Sequence, residues 1–360
     1  LCGVGRRTQD RMNGASPEQS RQEPARVLVT GAGGFIGRHL VADQLRRGRA
    51  VVAFDRDVSA LQGLSHPDLR VVEADVRAES RVRDAVSGVE VVFHLAAAHL
   101  SVRASASEYR QVNVDALRAL IDISRSEGVG RFVHCSTVGV YGRLPSVPAD
   151  EDTPCAPEFD YEKTKLEGEA RLLDAHRSDG FPVVILRPAW VYGPGCPRTE
   201  KLFRAIAAGR FVVAGRGHRL RHSIYIRDAI RAMELAASVP GVEGQVLILA
   251  DDRAQSIRTL VDEIAEVEGV RPPPAVPAPL LYLAGSGAEL LFGLLGKEPP
   301  LSRRTLRFFS GNTSFRTERA RRALGFVPRY SLRAGLEETA RIRGLGEFWT
   351  VPIDDAVGVG

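Results

Sequence analysis

Between Arg26 and Leu45 a short β-branched run, Val27-Leu28-Val29, passes straight into a glycine-rich turn and then into a helical pattern. The turn reads Thr30-Gly31-Ala32-Gly33-Gly34-Phe35-Ile36-Gly37. No other stretch constrains the chain as strongly. Glycine permits a sharp reversal, and the helix N-terminus beyond it offers free N–H groups and a partial positive charge. The spacing is not G-x-G-x-x-G, because position 36 is Ile and the glycines at 31, 34 and 37 stand three apart. What gives the turn meaning is its setting, with a strand before it, a helix after it, and Asp55 closing the next strand 24 residues after Gly31. That arrangement suits a dinucleotide, with Gly31, Gly33, Gly34, Phe35, Ile36 and Gly37 around the pyrophosphate. A carboxylate at Asp55 accepts hydrogen bonds from ribose hydroxyls and repels a 2′-phosphate, which favours NAD over NADP. Arg56 follows and softens that preference, and Asp75-Val76, after the third strand, is placed to flank the adenine.

From Arg26 onward strands alternate with helices. Val51–Phe54, Leu69–Val72, Val89–Leu95, Arg131–Cys135 and Pro182–Leu186 are apolar runs of strand length, and 104–127 and 158–179 have helical period. Runs of this kind read as strands covered on both faces. The alternation predicts an α/β fold with a doubly wound parallel sheet of the Rossmann type. After Pro188, prolines and glycines become frequent and the elements shorten. We therefore expect a Rossmann domain over 25–187 and a smaller, mostly helical substrate lobe over 188–345, some of whose elements return to the sheet. Residues 1–24 read as a disordered lead-in and 346–360 as a tail.

Tyr161 and Lys165 stand four apart at the start of the helix at 158–179, so they share one helix face. A phenol is a poor base at neutral pH, but a neighbouring ammonium stabilises the phenolate. The pair can exchange a proton with an alcohol or ketone oxygen. Only four lysines occur in the chain, so this pairing is not a common accident. Ser136-Thr137 follow the fifth strand at its carboxyl end, where open α/β sheets bind ligands. Thr137 is the first choice to hold the substrate oxygen, and Ser136 the second. Asn113, inside the helix at 104–127, either supports a proton relay or fills the core with a polar group.

Together these residues resemble the extended short-chain dehydrogenase/reductase family, the group that includes NAD-dependent epimerases and dehydratases. The resemblance spans about residues 25–345. It rests on Thr30-Gly31-x-x-Gly34-x-x-Gly37, Asp55, Asp75-Val76, His94-Leu95-Ala96-Ala97, Asn113, Ser136-Thr137 with Val140-Tyr141-Gly142, Tyr161-x-x-x-Lys165, and Arg187-Pro188 with Val191-Tyr192-Gly193-Pro194-Gly195. It implies NAD as cofactor and a Thr137–Tyr161–Lys165 triad in which Lys165 also binds the nicotinamide ribose. It further implies that Leu95, Ala96, Ala97 and Pro188 face the cofactor, and that the helices at 104–127 and 158–179 pair to form a homodimer.

The substrate is less directly written. Nucleotide-sugar members usually carry Asn two residues before the Tyr of Val-Tyr-Gly-Pro, where this chain has Trp190. They also tend to carry an Arg/Asp pair after Pro300; here Arg303, Arg304 and Arg307 are present, with no aspartate between Lys297 and Leu324. Arg221, in contrast, matches an arginine that grips the diphosphate in those members. The Pro-rich connector 271–279, the apolar 280–295 segment and Glu298-Pro299-Pro300 resemble the branch near the 3β-hydroxysteroid dehydrogenases. The expected activity is therefore an NAD-dependent oxidoreductase acting on a secondary alcohol or ketone of an apolar, steroid-like or polyketide-like substrate. The alternative is a nucleotide-sugar 4-epimerase or dehydratase. A non-catalytic NAD-binding protein would have no reason to keep Tyr161 beside Lys165.

Lys+Arg 49 against Asp+Glu 44 leaves a net charge of +5 spread along the chain, which calls for a small-molecule substrate and no nucleic acid. Cys2, Cys135, Cys155 and Cys196 show no metal or disulfide spacing and fit a reducing, cytoplasmic compartment. His218 and His222 are four apart but lack a third ligand, so no metal is expected. No apolar run marks a signal peptide near the start, and Met12 is a candidate start residue. The stretch Ala275–Gly296 is interrupted by Pro277, Pro279 and Gly285 and is too short from Leu280 on to span a bilayer. It reads as a core or lid helix, or as one that lies on a membrane surface or lines an apolar cavity.

Overall fold

β-branched and aromatic residues with no polar partner nearby form strands only where both faces can be covered, and this requirement organises the molecule. A computed structural model describes residues 26–98, 105–277, 279–281 and 311–343. The first half contains β1 (Arg26–Thr30), α1 (Phe35–Arg46), β2 (Ala50–Asp55), β3 (Leu69–Glu73), α2 (Glu79–Val86) and β4 (Val91–His94). A helical segment follows: α3 (Ala106–Arg110), a π-helical turn (Gln111–Asp115) and α4 (Ala116–Ser126). Then come β5 (Arg131–Cys135), α5 (Asp160–Asp179) and β6 (Val183–Pro188).

The strands form one seven-stranded sheet in the order β11-β6-β5-β4-β1-β2-β3, where β11 is Val246–Leu249. Every neighbouring pair is parallel. Along β1, Val27 and Val29 enter the core on one side of the sheet and Leu28 enters the core on the other. The predicted doubly wound α/β sheet is therefore present, with both faces covered. β3 departs from the expectation of a strand buried on both faces. It is the sheet edge, it has one neighbour, and Val71 is 43% exposed.

Beyond β6 the described chain is built from short strands and helices. β7 (Trp190–Tyr192) pairs with β10 (Ser223–Tyr225), β9 (Leu220–Arg221) with Gln255–Ser256, and β8 (Val213–Ala214) with Ala275–Val276. Among them lie α6 (Pro197–Ala207), α7 (Ile226–Ser238), α8 (Ile257–Val267), α9 (Glu318–Leu324) and α10 (Leu332–Ile342). α7 packs on α1 and on strands β5 and β6, so this part of the chain returns to the sheet along with β11. Buried Arg49, just before β2, donates to Glu234 of α7 at 2.6 and 2.7 Å and to Gln44 of α1 at 2.5 Å.

The lead-in 1–24, nearly all of the apolar 280–295 segment, Arg303, Arg304, Arg307 and the tail lie outside the described residues. Among the described residues no helix is long and apolar enough to cross a membrane.

Strand order reverses direction between β1 and β4. In a doubly wound sheet the crevice above the carboxyl ends of two such strands is where ligands bind. The loops that wall this crevice are 31–34 and 95–98.

Candidate active site

The glycines of the first turn serve the protein's own backbone before they serve any ligand. Gly31 has φ +73°, and a Cβ on it would lie 2.7 Å from the Ala96 nitrogen. A Cβ on Gly33 would lie 2.1 Å from the Asp57 carbonyl oxygen, and one on Gly37 2.0 Å from that of Gly31. These contacts draw the turn tightly against the segment after β2 and the segment after β4. Gly34 is the N-cap of α1; no side chain caps it, and the first turn, which holds Phe35 and Ile36, carries no acidic residue. The N-terminal N–H groups of α1 thus meet no side-chain acceptor, which is the chemistry a pyrophosphate needs.

Asp55 ends β2 half-buried. Its Oδ2 accepts the Gly33 N–H at 2.9 Å and its Oδ1 the Asp57 N–H at 3.1 Å. A carboxylate has about four lone-pair sites, so capacity remains for ribose hydroxyls. The Arg56 side chain is mostly exposed, 3.8 Å from Glu108. Asp75 is held by Arg77 at 2.7 Å, and that hydrogen bond keeps its carboxyl below the usual range. Val76 packs on the small cluster of Ala98, Tyr109 and Val112, against which Tyr161 also rests. Leu95 N–H bonds the Thr30 carbonyl at 3.1 Å and Ala96 N–H the Thr30 hydroxyl at 3.3 Å, so Leu95, Ala96 and Ala97 run beside the turn, half-buried. An uncapped helix start, a carboxylate with lone pairs to spare and a close-packed wall beside them fit the needs of a dinucleotide such as NAD.

α5 begins at Asp160 rather than 158 because Glu162 folds back, accepting the N–H groups of Glu158 and Phe159 at 3.1 and 3.4 Å. Tyr161 and Lys165 then sit one turn apart. The Tyr161 ring meets Tyr109 edge-on with centroids 6.3 Å apart. Burial pushes the Tyr161 phenol above its usual range, the nearby Cys135 adds to the rise, and Arg198 of α6 opposes it. The downward shift expected from Lys165 is not found: Arg198 is the group that lowers the phenol, and burial dominates. Lys165 is buried and burial lowers its pKa, while Cys135 and Glu169 act in the other direction. Its Nζ lies 3.3 Å from His134 Nε2.

Thr137 and Ser136 part company. Thr137 is the N-cap of a 3₁₀ turn, where its Oγ1 accepts the Gly139 N–H at 3.0 Å and its own O–H is left to donate. Ser136 is buried and its hydroxyl donates to Glu169 in a short hydrogen bond. Glu169 is in turn gripped by Arg187, through Nε at 3.0 Å and Nη2 at 2.5 Å, and Arg187 Nη1 donates to the Tyr141 hydroxyl at 2.7 Å. Ser136 thus belongs to a buried network beneath the site. Asn113 lies in the π-helical turn. Its Oδ1 accepts the Ala98 N–H at 2.8 Å and its Nδ2 donates to Thr164 Oγ1 at 3.0 Å. It braces the segment after β4 against the start of α5. Glu169 was legible in principle, since Tyr161, Lys165 and Glu169 repeat every four residues on one face. His134 and Arg198 carry no local signal.

Pro188 ends β6, buried, and Trp190 follows on β7 opposite Ser223, its ring 5.9 Å from Tyr192. Arg221, buried on β9, donates to Thr313 at 3.3 Å, and burial lowers its pKa to about 10. His222 Nε2 lies 2.9 Å from the Asp251 carbonyl and its Nδ1 accepts the Phe315 N–H at 3.0 Å, so both ring nitrogens are engaged by backbone.

A profile of the NAD dependent epimerase/dehydratase family matches residues 27–249. The chain is 32% identical over 330 residues to a 2-alkyl-3-oxoalkanoate reductase of Stenotrophomonas maltophilia (strain K279a), a match covering 86% of this chain and 97% of that one. It is 31% identical over 337 residues to a 3-beta-hydroxysteroid dehydrogenase of Mycolicibacterium neoaurum, with 88% and 91% covered. Among solved structures it is similar to MoeE5 in complex with UDP-glucuronic acid and NAD, at TM-score 0.69 and 31% identity over 88% of this chain and 98% of that one. The chain belongs to the NAD-dependent epimerase/dehydratase family of enzymes, whose cofactor is NAD.

Proposed function

We propose that the protein interconverts a ketone and a secondary alcohol on an apolar substrate, with the Tyr161 phenol exchanging a proton with the substrate oxygen. The observation that carries this reading is the placement of Tyr161 and buried Lys165 on one face of α5, beside the crevice between β1 and β4. The uncapped start of α1 and Asp55 would hold the pyrophosphate and adenosine ribose, and Lys165 the nicotinamide ribose. When bound, the cofactor would supply the two-electron chemistry, NAD as hydride acceptor for the alcohol and NADH as hydride donor for the ketone. Thr137 donates its free O–H to the substrate oxygen. Tyr161, kept protonated by its buried setting, starts as a proton donor, which suits ketone reduction. Trp190, half-buried on β7 just beyond the end of β6, would wall the substrate side with an apolar surface. The similarity to a 3-oxoalkanoate reductase and a steroid dehydrogenase supports the same substrate class.

A second reading, a nucleotide-sugar 4-epimerase or dehydratase, is favoured by buried Arg221 and by the likeness to MoeE5 bound to UDP-glucuronic acid. The two differ in net cofactor turnover. A panel of sterols, alkyl ketones and UDP- or dTDP-sugars, followed at the NADH absorbance band, should show NADH consumed or produced with the apolar substrates. Conversion of a sugar nucleotide with no net NADH change would favour the second reading. Three free cysteines among the described residues fit a reducing cytoplasm. Pairing of α4 and α5 with a second copy belongs to the same proposal, and light scattering at the mass of two chains checks it.

A further inference from the structure

We propose that His134 is a positioning residue for Lys165, accepting one ammonium N–H from beneath so that the other two are turned toward the cleft. The inference rests on the reading above, in which Lys165 binds the nicotinamide ribose. An ammonium has three donors and no acceptor. Among the described residues, the one hydrogen-bond acceptor that Lys165 Nζ meets is His134 Nε2, at 3.3 Å. Glu169, one turn further along α5, is occupied by Arg187 and Ser136. Cys135, on the same strand as His134, and Glu169 favour the charged amine, and the amine in turn acts on His134 and on His94 of β4.

For Nε2 to accept, the ring must be neutral and carry its proton on Nδ1. The surroundings keep it neutral. His134 is buried between the Lys165 ammonium and His94 of β4, whose ring stacks on it at 5.3 Å and 23°. A second positive charge there would face the first with no anion between. Burial and Lys165 both push the His134 pKa down. His134 Nδ1 has no hydrogen-bond partner among the described residues. The ring acts as a rest for the amine. A carboxylate in the same place would neutralise the ammonium; a neutral ring restrains it and leaves its charge acting on the cleft.

The test compares His134→Phe, which keeps a ring for the stack and removes the acceptor, with His134→Gln, which keeps an acceptor. The readouts are NADH binding by fluorescence as a function of pH, and the thermal unfolding curve. A hydrogen bond to a charged group predicts about a 10-fold weaker Kd for NADH in His134→Phe, largely restored in His134→Gln. Removing an acceptor that favours the charged amine also lowers the Lys165 pKa further. The loss of NADH affinity with rising pH should therefore set in at lower pH in His134→Phe than in the wild type. If His134→Phe does not unfold cooperatively, His134→Ala is measured in the same way. Unchanged affinity and pH dependence in the folded variant, alongside a Tyr161→Phe variant that has lost turnover, would overturn the role of His134 and leave the reading of the site intact. A Tyr161→Phe variant with full turnover would instead remove the reading itself.

Discussion

Asp55 does two things with one carboxylate. It fixes the glycine turn through the Gly33 N–H at 2.9 Å, and in the proposed function its remaining lone pairs accept from the ribose hydroxyls. Asp55→Ala should weaken both NAD and NADP, because the turn loosens, but NAD by more, because only NAD gains from an acceptor at its 2′-hydroxyl. Parallel titrations with the two cofactors check this, and an equal loss for both would mean that the carboxylate does not face the ribose. The positions of Asp55, Tyr161 and Lys165 could be read from the sequence because they rest on local spacing: a strand end, and two residues one helical turn apart. Ser136 and Asn113 could not be placed in the same way. Their partners, Glu169, Ala98 and Thr164, lie elsewhere in the chain, and only the fold brings them together. The direction of the Tyr161 shift was likewise hidden, since helical spacing shows which residues share a face but not how deeply the phenol is buried.

At the scale of elements, the ion pair between Glu169 of α5 and Arg187 of β6 joins a helix to the sheet directly beneath the site. Both side chains are buried, and the guanidinium also lies 4.9 Å from the centre of the Tyr141 ring. Glu169→Ala would leave Arg187 buried without its carboxylate, and breaking such a pair costs about 3–5 kcal/mol. Denaturant unfolding should show a loss of that order; a change under about 1 kcal/mol would mean that water or a rearranged side chain takes over the arginine. The long elements were legible because β-branched runs and helical periods repeat over enough residues to be seen. The two- and three-residue strands after Pro188 have no period to read. Nor does the π-helical turn at Gln111–Asp115, whose Asn113 bonds Thr164 of the neighbouring α5.

The molecule as a whole is held together by returns of the chain. β11 adds the seventh strand, and α7 is locked to α1 and β2 through the Glu234–Arg49–Gln44 cluster. Asp251, just beyond β11, is buried, accepts from Ser223 Oγ at 2.7 Å, and has its pKa raised by burial from 3.8 to about 8. The unfolded chain gives up this proton above about 4, whereas the native chain keeps it to about 8. Between those values the unfolded state binds fewer protons, so this group makes stability fall as pH rises. Asp251→Asn, which imitates the protonated acid, removes that slope. The melting temperature of the wild type relative to Asp251→Asn should decline from about pH 4 to about pH 8, and a constant difference across that window would contradict the assignment. The doubly wound sheet was foreseeable from the alternation of runs, but the return of β11 to its edge was foreseeable only in outline. Nothing in Val246–Leu249 says which strand it will join.

The central claim is that the Tyr161 phenol exchanges the proton in the reaction while other residues hold the cofactor. The most direct measurement is turnover and NADH affinity of Tyr161→Phe on the same preparation. Turnover should fall by about 10²-fold or more, with NADH affinity near that of the wild type. Turnover within a few-fold of the wild type, at unchanged NADH affinity, would contradict it.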